Sequence, residues 1–398
     1  MRYWWLFVGG LVGIFVAALL GLLSEFCIFS YTFDYNKMCK NLSVLGEGMK
    51  KIVFTGGGSA GHVLPNVAVI QELLKKGSYD VYYFGSSGIE KELIEPLKIP
   101  YYQIDCPKFY RGTNMYKNIQ NLKIPFAFSK AEQQALKGLK IVKPDLVFSK
   151  GGYVALPVVT AAKKLKIPCL THESDLTVGL ANKLMAGKCE HVLTSFPETA
   201  EKVKNGKYTG APVRKNLFNI SKAQAQENLG IHTHKKVLLV FGGGSGSTAI
   251  NLSIRTNAPK LCEKYFILHI CGKNNGFGNR MDGYKQMEFI SDMGSAYALA
   301  DLVIARSGAG TAFEVLALKK RALFIPLEAA SRGDQLQNAR YFQSKGLCRI
   351  LRQKNLGDLP KAIEETLRDD ELKERLEKSQ TDNGLDNVVF EIEKICSM

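Results

Sequence analysis

Two glycine-rich turns, well separated along the chain, each follow an apolar run and precede a helical pattern, and together they constrain the fold more than any other feature. The first run, Lys51-Ile52-Val53-Phe54, leads into Thr55-Gly56-Gly57-Gly58-Ser59-Ala60-Gly61-His62. The second, Val237-Leu238-Leu239-Val240-Phe241, leads into Gly242-Gly243-Gly244-Ser245-Gly246-Ser247. A strand, a tight glycine turn and a helix start leave unpaired backbone N–H groups and the positive helix end converging on one point, a ready anion site. Two such units predict two similar α/β halves facing one cleft, where the chemistry is expected.

From residue 49 onward, short apolar runs alternate with amphipathic stretches, the pattern of parallel sheets flanked by helices. In the first half, strands are expected at 51–55, 80–84, 145–149, 167–171 and 191–194, and helices at 65–76, 88–96, 129–142, 154–165 and 177–186. Gly210 and Pro212 interrupt the pattern within 207–214 and mark a domain boundary. Strands then resume at 236–241, 265–270, 286–290, 301–305 and 322–326, with helices at 248–262, 294–300, 310–318, 334–345 and 372–380. The expected division is a hydrophobic extension at 1–48, a first domain at 49–213 and a second at 214–398. A chain of 398 residues is long enough for each half to bury its own core.

Trp4 to Leu23 is uncharged and apolar, about the length needed to cross a bilayer. Arg2 alone precedes it while Lys37, Lys40, Lys50 and Lys51 follow, which would keep the catalytic body in the cytoplasm. The competing reading places the true start at Met49, which opens an ordinary strand. Residues 1–48 carry three basic and three acidic residues, so the net charge of +16 belongs to the body either way. Such a charge calls for an anionic partner. The basic residues are scattered rather than clustered, which argues against nucleic acid and for an anionic membrane surface or phosphorylated ligands. Within 106–130, Phe109, Tyr110, Tyr116, Ile124, Phe126 and Phe128 are interleaved with Lys108, Arg111, Lys117, Lys123 and Lys130, a mixture suited to a bilayer interface. Nine dispersed cysteines without a C-x-x-C pair read as reduced thiols.

Four further segments carry candidate chemistry. His62 stands at a helix start beside a phosphate-type turn, where a ring can take a proton from a hydroxyl; the alternative is a capping or core histidine. His172-Glu173-Ser174-Asp175 ends a strand on the edge where open sheets bind ligands, and reads equally as a helix-capping loop. Ser307-Gly308-Ala309-Gly310-Thr311 follows the strand 301–305, with Glu314 one helical turn on. Free N–H groups at 309–311 suit a diphosphate, and a carboxylate at 314 suits a ribose diol. Arg332 to Asn338 offers the amides and acids that sugar hydroxyls require, or simply a capped helix start. No Asp-x-Asp pair, metal-ligand spacing or Gly-x-x-x-x-Gly-Lys-Ser/Thr loop occurs, so neither a tightly held metal, a bound cofactor nor a P-loop NTPase is expected.

Taken in order, Gly56–Pro65, Lys150-Gly151-Gly152-Tyr153-Val154, His172–Asp175, Gly210–Arg214, Asp301–Glu314 and Asp334–Ala339 closely resemble a bacterial family. It is that of the UDP-N-acetylglucosamine:undecaprenyl-diphospho-muramoylpentapeptide N-acetylglucosaminyltransferases, which make lipid II from lipid I. The resemblance covers about residues 49–390. It implies the GT-B fold: α/β, two Rossmann-like parallel-sheet domains facing a central cleft, here with an N-terminal hydrophobic extension. It further implies that Ile290 contacts the uracil, Glu314 holds the ribose, and Ala309, Gly310 and Thr311 cradle the diphosphate with the second turn at Gly244 and Ser245. Gln335 and Asp175 would bind the sugar, Arg214 the nucleotide sugar, and Ser59, Ala60 and Gly61 would face donor or acceptor sugar, with His62 as leading base. The implied partners are UDP-N-acetylglucosamine, lipid I and the cytoplasmic face of the cell membrane. Three departures stand out: Asp175 where the family often has Asn, Gly244 at a usual serine, and Glu328–Gly333 without the histidine many members carry. Three other functions fit the same residues: a diacylglycerol glycosyltransferase, a UDP-N-acetylglucosamine 2-epimerase and a non-catalytic UDP-sugar-binding scaffold.

Overall fold

The computed structural model describes residues 49–106, 124–276, 278, 281–328, 333–380 and 383–397. The apolar run 4–23 and the 107–123 portion of the aromatic and basic stretch lie outside the described residues. The first sheet contains β1 (Lys50–Thr55), β2 (Tyr79–Gly85), β3 (Tyr101–Gln103), β4 (Leu146–Ser149), β5 (Cys169–Glu173), β6 (His191–Thr194) and β7 (Gly206–Tyr208). All pair in parallel, in spatial order β3-β2-β1-β4-β5-β6-β7. The second sheet contains β8 (Lys236–Phe241), β9 (Tyr265–Ile270), β10 (Tyr284–Met287), β11 (Leu302–Ala305), β12 (Ala322–Phe324) and β13 (Arg349–Ile350). Its order, β10-β9-β8-β11-β12-β13, repeats that of the first six strands of the first sheet, without a counterpart of β7. The expected pair of Rossmann-like parallel sheets is therefore present.

Val237 to Phe241 is buried throughout, as are Ile52 to Thr55, because helices cover both faces of a parallel sheet and leave no solvated side. Strand order reverses between β1 and β4 and again between β8 and β11, the points where open sheets bind ligands at the carboxyl ends of their strands. Both glycine turns, Lys150–Gly152 and Arg306–Gly308 leave the sheets at these points. Thr55 pairs with Ser149 and Phe241 with Ala305, so in each half the two turns emerge side by side.

Several boundaries differ from expectation. The first helix begins at Ala60 rather than 65, with Pro65 inside it, so His62 lies in its first turn. β10 ends at Met287, which leaves Phe289 and Ile290 in the following loop. The helix expected from 177 starts at Leu180. Helix Leu385–Cys396 lies beyond the last expected element, and it packs on the first sheet: Leu385, Val388, Val389 and Ile392 share one core with Ile52, Phe54 and Leu73. The chain thus completes its second sheet and returns to the first.

Candidate active site

The first glycine turn is moulded by its neighbours. A Cβ on Gly152, whose φ is +80°, would lie 2.5 Å from the Gly57 carbonyl oxygen, and one on Gly58 would lie 2.6 Å from the Tyr153 ring. Glycine is required for the two turns to meet. At the turn's end Ser59 Oγ and His62 Nδ1 share a hydrogen bond of 2.9 Å. Burial lowers the His62 pKa to about 4, assisted by the Lys150 charge and opposed by Glu173 and Glu90. The ring is neutral at pH 7.

Lys150 itself is buried, and its ammonium donates to Ser174 Oγ at 2.5 Å. Burial brings its pKa down to about 8, while Glu173 and Asp175 push it up. Glu173 holds its own loop together, accepting from the Asp175 N–H (3.0 Å), the Gly179 N–H (2.7 Å) and Asn182 Nδ2 (2.8 Å). His172 is fully buried and its Nε2–H donates to the Gly210 carbonyl at 3.1 Å. Of the His172–Asp175 group, Glu173 and His172 are thus engaged within the fold. Asp175 reaches the other half, where its Oδ1 accepts from Asn338 Nδ2 at 2.8 Å. Burial and the neighbouring Glu173 raise its pKa to about 6.

In the second half, helix Ala309–Ala317 starts at Gly308 with no side-chain cap and no acid in its first turn. Its first N–H groups lack intrahelical partners, the arrangement that favours an anion. A Cβ on Gly308 or Gly310 would meet only open space, so the start of this helix is sterically open. Glu314 is held at both oxygens: Arg214 Nη2 donates to Oε1 and the Tyr297 hydroxyl to Oε2, each at 3.1 Å. Gly244 and Ser245 are exposed at the tip of the second turn. Ser247 rather than Ser245 makes the turn's side-chain contacts, accepting from Arg306 Nη2 at 2.7 Å. Arg306 is buried and also donates to the Ile325 and Pro326 carbonyls and to Gln353 Oε1. Ile290 is buried. Gln335 accepts from the Leu327 N–H through Oε1 at 3.0 Å, and its carbonyl accepts from Ser307 Oγ at 2.9 Å.

The two turns face each other: a Cβ on Gly244 would stand 3.9 Å from that of Ala60. The departure from serine at Gly244 therefore leaves space between the turns. Further along, the halves are joined by Asn338 Oδ1 accepting from the Leu176 N–H (3.0 Å) and by Thr177 Oγ1 donating to Asp334 Oδ1 (2.5 Å). Glu90, Lys150 and Arg306 escaped the sequence reading as individual site residues, since nothing in the spacing marks a charge that will be buried under a distant turn. Among the described residues no group of three His, Cys, Asp or Glu is placed to hold a metal, and no helix is long and apolar enough to span a membrane.

Two Rossmann-ordered halves with opposed glycine turns define the GT-B architecture. The models of the glycosyltransferase family 28 N-terminal and C-terminal domains match residues 52–194 and 237–389, and the chain belongs to that family. It is 41% identical over 358 residues to the UDP-N-acetylglucosamine--N-acetylmuramyl-(pentapeptide) pyrophosphoryl-undecaprenol N-acetylglucosamine transferase of Clostridium perfringens, with 87% of this chain and 99% of that one covered. The enzyme of the same name from Lachnoclostridium phytofermentans is 41% identical over 357 residues, with the same coverage. Among solved structures, MurG of Acinetobacter baumannii superposes with a TM-score of 0.65 at 27% identity, over 87% of this chain and 99% of that one. The UDP-GlcNAc 2-epimerase of Neisseria meningitidis superposes at 0.58 with 15% identity over 87% and 99%, a likeness of fold alone.

Proposed function

We propose that this glycosyltransferase moves N-acetylglucosamine from UDP-N-acetylglucosamine to the C4 hydroxyl of the muramoyl sugar of lipid I, forming lipid II for peptidoglycan. One observation carries the reading: an uncapped helix start at Ala309–Thr311 with Glu314 one turn on, set across a cleft from a turn that bears a neutral histidine. The relatives named above, which cover nearly their whole length, favour this donor and acceptor over the epimerase and diacylglycerol readings.

In this reading the diphosphate lies on the N–H groups of 309–311 and on the second turn, Glu314 takes the ribose diol, and Ile290 borders the uracil. Arg214 contacts the nucleotide sugar, while Gln335 and Asp175 meet sugar hydroxyls. The acceptor oxygen attacks the anomeric carbon on the face opposite UDP, the bond from that carbon to the phosphate oxygen breaks, and UDP leaves with the electron pair. His62 takes the hydroxyl proton at Nε2, in the tautomer whose Nδ1–H donates to Ser59 Oγ. Helix N-termini stabilise the leaving diphosphate without reorganising. Phe126, 83% exposed at the start of helix Ile124–Val142, supports docking of the first half on an anionic membrane surface.

The test incubates the full chain with sugar-labelled UDP-N-acetylglucosamine and a lipid I analogue. Labelled disaccharide-lipid is the expected product. Conversion of the donor with no acceptor present would instead identify an isomerase, and preference for diacylglycerol would identify the other lipid transferase.

A further inference from the structure

The first glycine turn contains its own anion. Glu90, on helix Ile89–Ile94, is entirely buried. Its Oε2 accepts from the Gly58 N–H at 3.2 Å, and its Oε1 accepts from the Ser86 N–H at 3.0 Å and from the Ser86 hydroxyl. Ser86 is itself held from behind, its carbonyl accepting from the Tyr101 hydroxyl at 2.5 Å. Gly57 completes the fit, for a Cβ there would lie 2.5 Å from the Glu90 carboxyl carbon. The turn is closed around a carboxylate that takes the Gly58 N–H.

The second turn is built the opposite way. The buried charge beneath it is the Arg306 guanidinium, 2.7 Å from Ser247 Oγ. Arg306 is bonded there to neutral oxygens only, whereas at the first turn Glu90 already holds the Gly58 N–H and the Lys150 charge is buried close by.

We infer that Glu90 occupies the anion position of the first glycine turn and is a positioning residue for sugar transfer, fixing Gly58 and through it Ser59 and His62; this rests on the transferase reading. The line of contacts is continuous: Tyr101 to Ser86, Ser86 to Glu90, Glu90 to Gly58, then along the backbone to Ser59, whose hydroxyl meets the His62 ring. The charges of Glu173 and Glu90 also oppose the lowering of the His62 pKa by burial and Lys150.

The experiment measures steady-state transfer by the full chain with and without Glu90→Gln, which keeps the side-chain shape but removes the charge and sets an amide donor against an N–H. A displaced base costs rate without weakening the donor, so kcat should fall about 10- to 100-fold while the KM for UDP-N-acetylglucosamine stays within about twofold. An active wild type with Glu90→Gln at unchanged kcat overturns the role of Glu90 alone. A wild type that transfers no sugar overturns the transferase reading. If Glu90→Gln lowers kcat and donor affinity together, or does not fold, Ser86→Ala decides. It removes one donor to the carboxylate and should lower kcat several-fold at constant donor KM; wild-type kcat in that variant overturns the inference.

Discussion

Glu314, the proposed ribose contact, is held in one orientation by its neighbours. Arg214 and Tyr297 hold one oxygen each, which fixes the carboxylate plane, and a carboxylate with about four lone-pair sites keeps two for a diol. In Glu314→Gln the amide nitrogen cannot accept from Arg214 or match both diol hydroxyls. UDP affinity should fall roughly 10- to 100-fold, about 1.4–3 kcal/mol, as read by calorimetric titration with UDP. His62 is the proposed base at the other end of the reaction. His62→Ala should lower kcat by about 10²- to 10⁴-fold, the usual contribution of a positioned base, and leave UDP binding unchanged. Turnover at the wild-type rate would remove His62 as base. The positions of both beside a glycine turn were legible in the sequence, because each sits at a fixed distance from one. Glu90 was not: its partner Gly58 lies 32 positions away, and only the pairing of β1 with β2 brings them together.

At the level of elements, close approach of two turns is what the glycines provide. Gly152→Ala would press a methyl group into the Gly57 carbonyl oxygen while holding alanine at a φ of +80°. Overpacking costs about 1–3 kcal/mol and such a backbone about 1–3 more, so urea unfolding should show a loss of roughly 2–6 kcal/mol. The long interior strands were readable because both faces are buried and the apolar runs are unbroken. The edge strands β3, β7 and β13 were not, since strands of two or three residues carry too little pattern to stand out from loops. At the first helix the expected start at 65 was late: the preceding turn Ala60–Leu64 is already helical, and Pro65 merely lacks the N–H that the Gly61 carbonyl would have accepted.

For the whole molecule, buried histidines give stability a pH dependence. His269 is fully buried, its Nδ1 accepting from the Tyr284 hydroxyl and its Nε2–H donating to Asn251, and burial lowers its pKa to about 4. Burial likewise holds His172 well below its ordinary 6.5. Both bind protons more readily unfolded than folded, so stability is present above about 6.5 and is lost as pH falls. Between pH 7 and 5, His269 alone removes about 2 kcal/mol and His172 adds to the loss. Asp175, raised to about 6, runs the other way and returns about 1. Urea midpoints at pH 5 should therefore lie below those at pH 7, and an equal or higher midpoint would contradict this reading. Helix Leu385–Cys396 has a different consequence, for the order in which the chain acquires structure during synthesis. Domains ordinarily fold from the N-terminus as they emerge from the ribosome. Here the core around Ile52, Phe54 and Leu73 lacks Leu385, Val388, Val389 and Ile392 until the second half has already been made. The second half can close first, and the half carrying His62 is sealed last by a helix that must travel back across the molecule.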